Sequence, residues 1–133
     1  MVKFDTFQGP FEVSSWQYGL GNSVSTAGGG IEVGKASFSE LTVTKPMDTY
    51  TAKLQLALAK GTKFDEVEIR FIKDSKTVGY ILLKEVFVTG SSLSHGGGDP
   101  YQAVESVSLQ YGEIEFKFAG SSYGWSVMEN REV

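Results

Sequence analysis

The sequence predicts a mainly β protein: a single β-barrel or β-sandwich of about seven to nine strands with one flanking α-helix. Three observations predict it. Short apolar/polar alternating runs recur at intervals of about 8–12 residues. Only one stretch, residues 48–61 (DTYTAKLQLALAKG), places its apolar residues at helical rather than strand spacing. Two glycine-rich connections, residues 19–34 and 90–100, separate the runs. The 133 residues suit one domain spanning residues 1–133, with no fixed-period repeat and no linker. A hydrophobic fraction of 41% with 13% aromatics fits a β-rich globular chain rather than a disordered one.

Residues 11–18 read as a first strand. Phe11 and Val13 share one parity and Trp16 and Tyr18 the other, which implies a bulge near Ser14 and Ser15. Residues 19–34 (GLGNSVSTAGGGIEVG) hold few core anchors and are expected to project as a long mobile connection. Residues 36–44 form a second strand, with Phe38 out of phase with Leu41 and Val43, again a bulge.

The helix follows. Asp48, Thr49 and Thr51 are N-cap candidates behind Pro46, and Gly61 stands where a left-handed C-cap belongs. Asp48 at the start and Lys60 and Lys63 at the end suit the helix dipole. Tyr50, Leu54, Ala57 and Leu58 make a core face. Ala52, Leu56 and Ala59 make a second apolar face, for which another subunit is one explanation. Taken alone, the helix favours a simpler one: alanine is a good helix former, and one exposed Leu is ordinary.

Residues 65–73 give the clearest alternation, with Val67, Ile69 and Phe71 inward and Glu66, Glu68 and Arg70 outward. KDSKT is a turn. Residues 78–89 are apolar on both parities, Tyr80, Leu82, Val86 and Val88 against Ile81, Leu83 and Phe87. Such a strand is expected to be buried on both faces or to lie at a subunit contact. Two further runs break at Gly112. Val107, Leu109 and Tyr111 point inward in the first, and Ile114, Phe116 and Phe118 in the second. Tyr123, Trp125 and Val127 close the set in phase.

The formal charge of −4 gives no overall basic balance for nucleic acid or an acidic membrane surface. Without cysteine there is neither disulfide nor thiolate chemistry. The first residues, MVKFDTFQGPFEVSS, lack the apolar core of a secretory signal, and no run approaches the ~20 apolar residues that span a bilayer. The expectation is synthesis in the cytoplasm, with any export left to another machine.

Several stretches imitate catalytic motifs. GGIEVGKA spaces Gly29, Gly34 and Lys35 like a phosphate-binding loop, but Ala36 stands where Ser or Thr must hold magnesium, and a strand pattern follows. GLGNSV lacks the third glycine and the helix of a dinucleotide fingerprint. HGGG at residues 95–98 and GSSYG at 120–124 imitate the oxyanion loop and nucleophile elbow of α/β-hydrolases. Ser122 would need a histidine as general base besides the one in the oxyanion loop, and His95 is the single histidine. One His, no Cys and scattered carboxylates form no metal-ligand set. Glu113 and Glu115 share one strand face, which could hold a cation weakly but reads more simply as a solvated face. Trp16, Tyr18, Tyr123 and Trp125 lack the interleaved Arg and Lys of a base-stacking surface. No catalytic residue, cofactor or metal is expected.

The order of landmarks resembles the haemolysin-coregulated protein (Hcp) family, the tube-forming component of type VI secretion systems. The matching pieces are VSSWQYG, the loop ending GGGIEVGK, LTVTK, Asp48, and the helix closing on Ala59-Lys60-Gly61. Then come LKEVFV, the Ser/Gly loop ending at Asp99, ESVSLQY, and Tyr123-Gly124-Trp125 before a short polar tail. No single piece is specific; their order and spacing carry the likeness over most of the chain. The sequence departs from the family at the front, where the family has a longer first strand and loop before VSSWQYG.

The resemblance implies a β-barrel closing into a six-membered ring, with rings stacking into a tube that a contractile sheath propels out of the cell. It implies a homo-oligomer that meets the sheath, a spike protein and effector cargo held in the lumen, without nucleic acid or membrane insertion. The stacking contact would fall on Asn22, Ser23, Val24, Ser25, Thr26, Gly29 and Gly30. The subunit seam would take Ala52, Leu56 and Ala59 from the helix and Ile81, Leu83 and Phe87 from the two-sided strand. Two rival classes share parts of the pattern. One is the tail-tube protein of a phage-like or extracellular contractile particle, separable by its gene neighbours or sheath partner. The other is a monomeric barrel binding a small ligand, separable by light scattering; the large inward residues Phe71, Phe116, Phe118 and Trp125 argue for a filled interior instead.

Overall fold

A computed structural model describes residues 1–4 and 9–133. The strands are β1 (Val2–Phe4), β2 (Ser15–Gln17), β3 (Leu20–Ser25), β4 (Glu32–Phe38), β5 (Leu41–Pro46), β6 (Lys63–Lys73), β7 (Lys76–Ser94), β8 (Val104–Phe118), β9 (Ser121–Ser126) and β10 (Arg131–Glu132). The helix is α1 (Thr51–Lys60), and 3-10 turns cover Ala27–Gly29 and Pro100–Gln102. Eight strands form one antiparallel sheet in the order β1-β6-β7-β8-β5-β2, with β9 and β10 continuing from the far half of β8. The sheet curls without closing. Phe11 bridges Val2 on one edge, and β2, a few residues on, pairs with β5 on the other. The expected barrel is therefore an open, strongly curled sheet.

Local chemistry explains the tight corners. Asp74 and Ser75 both take positive φ (51° and 62°), the conformation that two-residue hairpins need between right-twisted strands. Ala119 and Gly120 do the same between β8 and β9. Gly61, at φ 68°, ends α1 by donating its N–H to the carbonyls of Ala57 and Leu58, as expected of the C-cap. The start of the helix differs from expectation. Tyr50 occupies the N-cap, where its side chain makes no capping hydrogen bond, while Asp48 accepts from the Tyr50 N–H at 2.8 Å and caps the preceding turn.

The two-sided pattern of β7 has a geometric cause. Ile81 and Leu83 are buried, and so are Val86 and Val88, on the opposite parity. Glu85, between the two sets, adopts φ 55°. Its neighbours switch at the same level. On β6, Phe64 and Val67 are both buried; on β8, Tyr111 and Ile114 are. Phe64, Val86 and Tyr111 are paired in one row, and Val67, Leu83 and Ile114 in another. Three strands thus turn their apolar faces together without losing register. Gly112 sits at the switch on β8, where the Met128 side chain packs over it in the space a Cβ would take. The expectation that Ile81 and Leu83 sit at a subunit seam is accordingly corrected: both side chains are wholly enclosed by this chain's own core. β8 also runs unbroken through Gly112.

Other boundaries shift. Of the expected strand at residues 11–18, only the Phe11 bridge and β2 pair, and Trp16 is 38% exposed. The run at residues 36–44 is two strands parted at Ser39 and Glu40, not one with a bulge. Phe118 is half exposed rather than inward. The first part of the second glycine-rich stretch belongs to β7, which reaches Ser94. The segment read for a secretory signal includes residues 5–8, which lie outside the described residues.

The core joins Leu41, Val43, Leu54, Phe64, Val67, Ile69, Ile81, Leu83, Val107, Leu109 and Ile114. At its edge lies a buried ion pair. The Lys45 Nζ donates to Glu105 Oε2 at 2.8 Å and to Asp48 Oδ1 at 2.9 Å, and both the Lys45 and Glu105 side chains have no exposed surface. The Thr51 hydroxyl donates to the same Glu105 oxygen at 2.8 Å, tying the first turn of α1 to β5 and β8. Lys45→Met, which strands the Glu105 carboxylate in the core, should cost about 3–5 kcal/mol in urea unfolding. Lys45→Met with Glu105→Leu should recover a large part of that loss; an unchanged midpoint in the single variant would show that the pair stabilises nothing.

Candidate functional site

The surface features that ask for a partner are two apolar regions. The first is the outer side of α1. The helix buries Thr51, Leu54 and Ala57 and half-buries Leu58. Ala52, Leu56 and Ala59 face solvent, with Leu56 57% exposed. Phe87, on the outward parity of β7, is 40% exposed. The two faces of α1 thus lie as the spacing predicted, and of the three β7 residues expected at a seam only Phe87 remains available.

The second region is the stretch expected to be a loose connection. It is a β-hairpin: β3 and β4 pair from Leu20↔Phe38 to Ser25↔Glu32, separate from the main sheet. The pairing slips between Asn22 and Val24, and there the Ser23 hydroxyl occupies the space that a Cβ on Gly34 would take. Asn22, Ser23, Val24 and Ser25 are strand residues, Thr26 opens the tip, and Gly29 and Gly30 close it. All of these are exposed, as are Leu20, Ile31 and Val33. Gly19 and Ser39 join the hairpin to the body, and Tyr111 on β8 donates its hydroxyl to the Ser39 carbonyl at 2.8 Å.

That root is framed by tyrosines. The Tyr18 and Tyr123 hydroxyls lie 3.3 Å apart. Burial, then the Tyr123 hydroxyl, pushes the Tyr18 phenol well above its ordinary value near 10. Burial, then the neighbouring Tyr123, does the same to Tyr111.

The catalytic imitations do not assemble. His95 follows the end of β7 that pairs with Val104, whereas Ser122 sits in β9 opposite Lys117. They lie toward opposite ends of β8, roughly 40 Å apart measured along the strand at about 3.4 Å per residue. His95 Nε2 lies 3.0 Å from the Asp99 carbonyl. Gly34 and Lys35 lie within β4, with no helix behind them to hold a phosphate. Glu115 accepts from the Tyr80 hydroxyl at 2.8 Å. Among the described residues, no group of three or more His, Cys, Asp or Glu could hold a metal ion, and no helix is long and apolar enough to cross a membrane.

Residues 2–118 match the family described as the type VI secretion system effector Hcp. The chain belongs to the Hcp family. It is 26% identical to Protein hcp1 of Pseudomonas aeruginosa, over 72% of this chain and 68% of that one. Its fold resembles that of a protein solved as a type six secretion system protein, with a TM-score of 0.86 at 24% identity over 99% of this chain and 97% of the other. It also resembles Hcp1 from Salmonella typhimurium, with a TM-score of 0.79 at 20% identity over 99% and 96%. This Hcp chain therefore carries, on the family's fold, a helix with one uncovered apolar face and a projecting ribbon.

Sequence reasoning missed the buried Lys45–Glu105 pair. The signal was present: Lys45 continues the inward parity of Leu41 and Val43, and Glu105 that of Val107 and Leu109. Charges of opposite sign on two inward parities mark a buried pair. Also missed was a cleft at the Val104 end of the sheet, lined by Met47, Leu93, Pro100 and Ala103. Nothing in the periodicity brings those residues together, because three separate connections meet there.

For the tyrosines, the raised folded-state values mean that the unfolded chain gives up protons first as pH rises. Their stabilising contribution is full below about pH 10 and falls away above it. Urea midpoints should decline above about pH 10, and the decline should flatten in Tyr18→Phe/Tyr111→Phe; equal slopes in both proteins would refute the assignment.

Proposed function

We propose that this Hcp chain is the ring-forming subunit whose rings stack into the inner tube of a type VI secretion apparatus. The work is mechanical, with no bond made or broken. The observation that carries this reading is the apolar surface left uncovered on an otherwise well-packed chain: Leu56 between Ala52 and Ala59 on α1, Phe87 on β7, and both strands of the ribbon. A ring of identical subunits covers such surfaces by heterologous contacts, in which one patch meets a different patch of the next copy. The helix face and Phe87 are the seam in this reading. The ribbon, with Asn22, Ser23, Val24, Ser25, Thr26, Gly29 and Gly30, makes the contact between rings.

Six copies per ring follow from the family resemblance. So do a lumen that holds effector cargo, a spike protein at the tip, a contractile sheath outside, and export through the apparatus itself. Neither nucleic acid nor membrane insertion has a part in it. The filled core, with Phe64, Leu83, Leu109 and Ile114 fully buried or nearly so, argues against a small-ligand barrel.

Leu56→Glu should leave the monomer folded by circular dichroism, because the side chain faces water there. It should lower ring content in analytical ultracentrifugation at least tenfold, since assembly would bury an unpaired charge. Rings as abundant as in the parent protein would remove Leu56 from the seam. Deleting residues 23–30 shortens the ribbon without touching the main sheet; micrographs should then show single rings and few tubes. Long tubes from that variant would overturn the stacking role of the ribbon.

A further inference from the structure

The ribbon and the cleft lie at opposite poles of one chain. β2 pairs with β5, and β3 and β4 continue the same two strands past Gly19 and Ser39. The ribbon is thus a prolongation of β5 beyond its Leu41 end, leaving the body at the level of Tyr111 on β8. The cleft lies beyond the other end of β5, where Pro46 and Ser94 both pair with Val104. From Val104 to Tyr111 is roughly 24 Å of strand, and the ribbon adds about 20 Å more.

Each pole has an apolar feature that the chain itself does not cover. On the ribbon, Val24 and Val33 are cross-strand partners and so share a face, on which Leu20 also stands; Ile31 adjoins it. All four are more than half exposed. A free two-stranded hairpin is at best marginally stable in water, so this face gains by being covered. The cleft, an open depression lined by Met47, Leu93, Pro100 and Ala103 with Ser94 and His95 at its side, offers about 210 Å³ and is predominantly apolar. Leu93 is 47% exposed, and Tyr101, beside Met47 in the adjoining groove, is 80% exposed. That volume is below the roughly 300–1,000 Å³ of small-molecule sites and suits one or two aliphatic side chains.

We propose that the apolar tip of the ribbon, Val24, Ile31 and Val33, seats in the cleft formed by Met47, Leu93 and Pro100 of a second copy of this chain. The proposal rests on the stacked-ring reading and names the acceptor for its ribbon. A projection at one pole and its receptor at the other make a head-to-tail contact that propagates along one axis. The size of the contact favours a second copy within a ring over an independent protein. A few aliphatic residues bury far less than the roughly 1,200–2,000 Å² of a stable two-protein interface. Repeated around a ring, the same contact is made many times at once and gains by effective concentration.

The chain has no cysteine, so engineered pairs report the contact cleanly. Val33→Cys/Leu93→Cys and, separately, Ile31→Cys/Met47→Cys would be oxidised at high protein concentration. They would be run without reductant and imaged alongside. Because the two sites are at opposite poles of one chain, closure within a monomer is excluded; a bond needs Cα atoms about 4.4–6.8 Å apart in two copies. The expected result is a ladder in which most chains migrate above the dimer and which collapses on reduction, while each single-cysteine control stops at the dimer. Tubes in the micrographs with no ladder from either pair would overturn the contact and leave the ring reading intact, with the cleft free for another protein or a small apolar ligand. A ladder without rings would uphold the contact and sink the ring reading. Monomers with neither rings nor ladder would sink both.

Discussion

The Lys45–Glu105 pair is the constraint on which the arrangement depends. A charge taken wholly out of water is costly unless partnered, and here each charge comes from a different strand. The Lys45 ammonium also meets Asp48 and lies 5.2 Å from the Phe11 ring centre. The Glu105 carboxylate takes the Thr51 hydroxyl as well. Five elements or connections therefore converge on one buried ion pair: β5, β8, the turn before α1, the first turn of α1, and the segment that bridges β1. The pair fixes where the helix begins on the sheet. Hence it fixes which helix face is left outside.

The coordinated switch across β6, β7 and β8 does related work for the sheet. A flat strand shows one parity to the core along its whole length. A long strand on a curled sheet cannot do so without leaving part of the interior unlined. By changing parity at Glu85 and Gly112 while keeping the hydrogen-bond register, the sheet lines its interior at both ends with Ile81, Leu83, Val86 and Val88. What then remains outside is largely polar or charged on β6 and β8, while Ile72, Val78 and Phe118 near the hairpin ends and Phe87 midway along β7 stay partly exposed.

The ribbon shows how glycine and serine can describe an extended arm rather than a slack loop. Gly34 makes room for a slipped pairing, and positive φ at Gly28 and Gly29 turns the tip. Its backbone is paired, so it holds direction; its side chains are not packed, so it holds surface in reserve. A projecting arm on one pole and a cleft on the other give the molecule an axis.

The sequence by itself determined the class of the fold, the place of the helix and its Gly61 end, its two faces, the Asp74-Ser75 turn, and the family. These depend on local periodicity, on residues that tolerate positive φ, and on the order of landmarks along the chain. It misled at residues 19–34, because a hairpin rich in Gly, Ser and Asn lacks the apolar alternation that announces a strand packed on a core. It misled at Ile81 and Leu83, because apolar residues on both parities look the same whether a strand is covered on two sides or turns over midway. Only the tertiary structure decided that three strands turn over together, that Lys45 and Glu105 neutralise each other, and that Met47, Leu93 and Pro100 meet. Each of these joins residues far apart in the chain, and no spacing within a single segment encodes a contact made across strands.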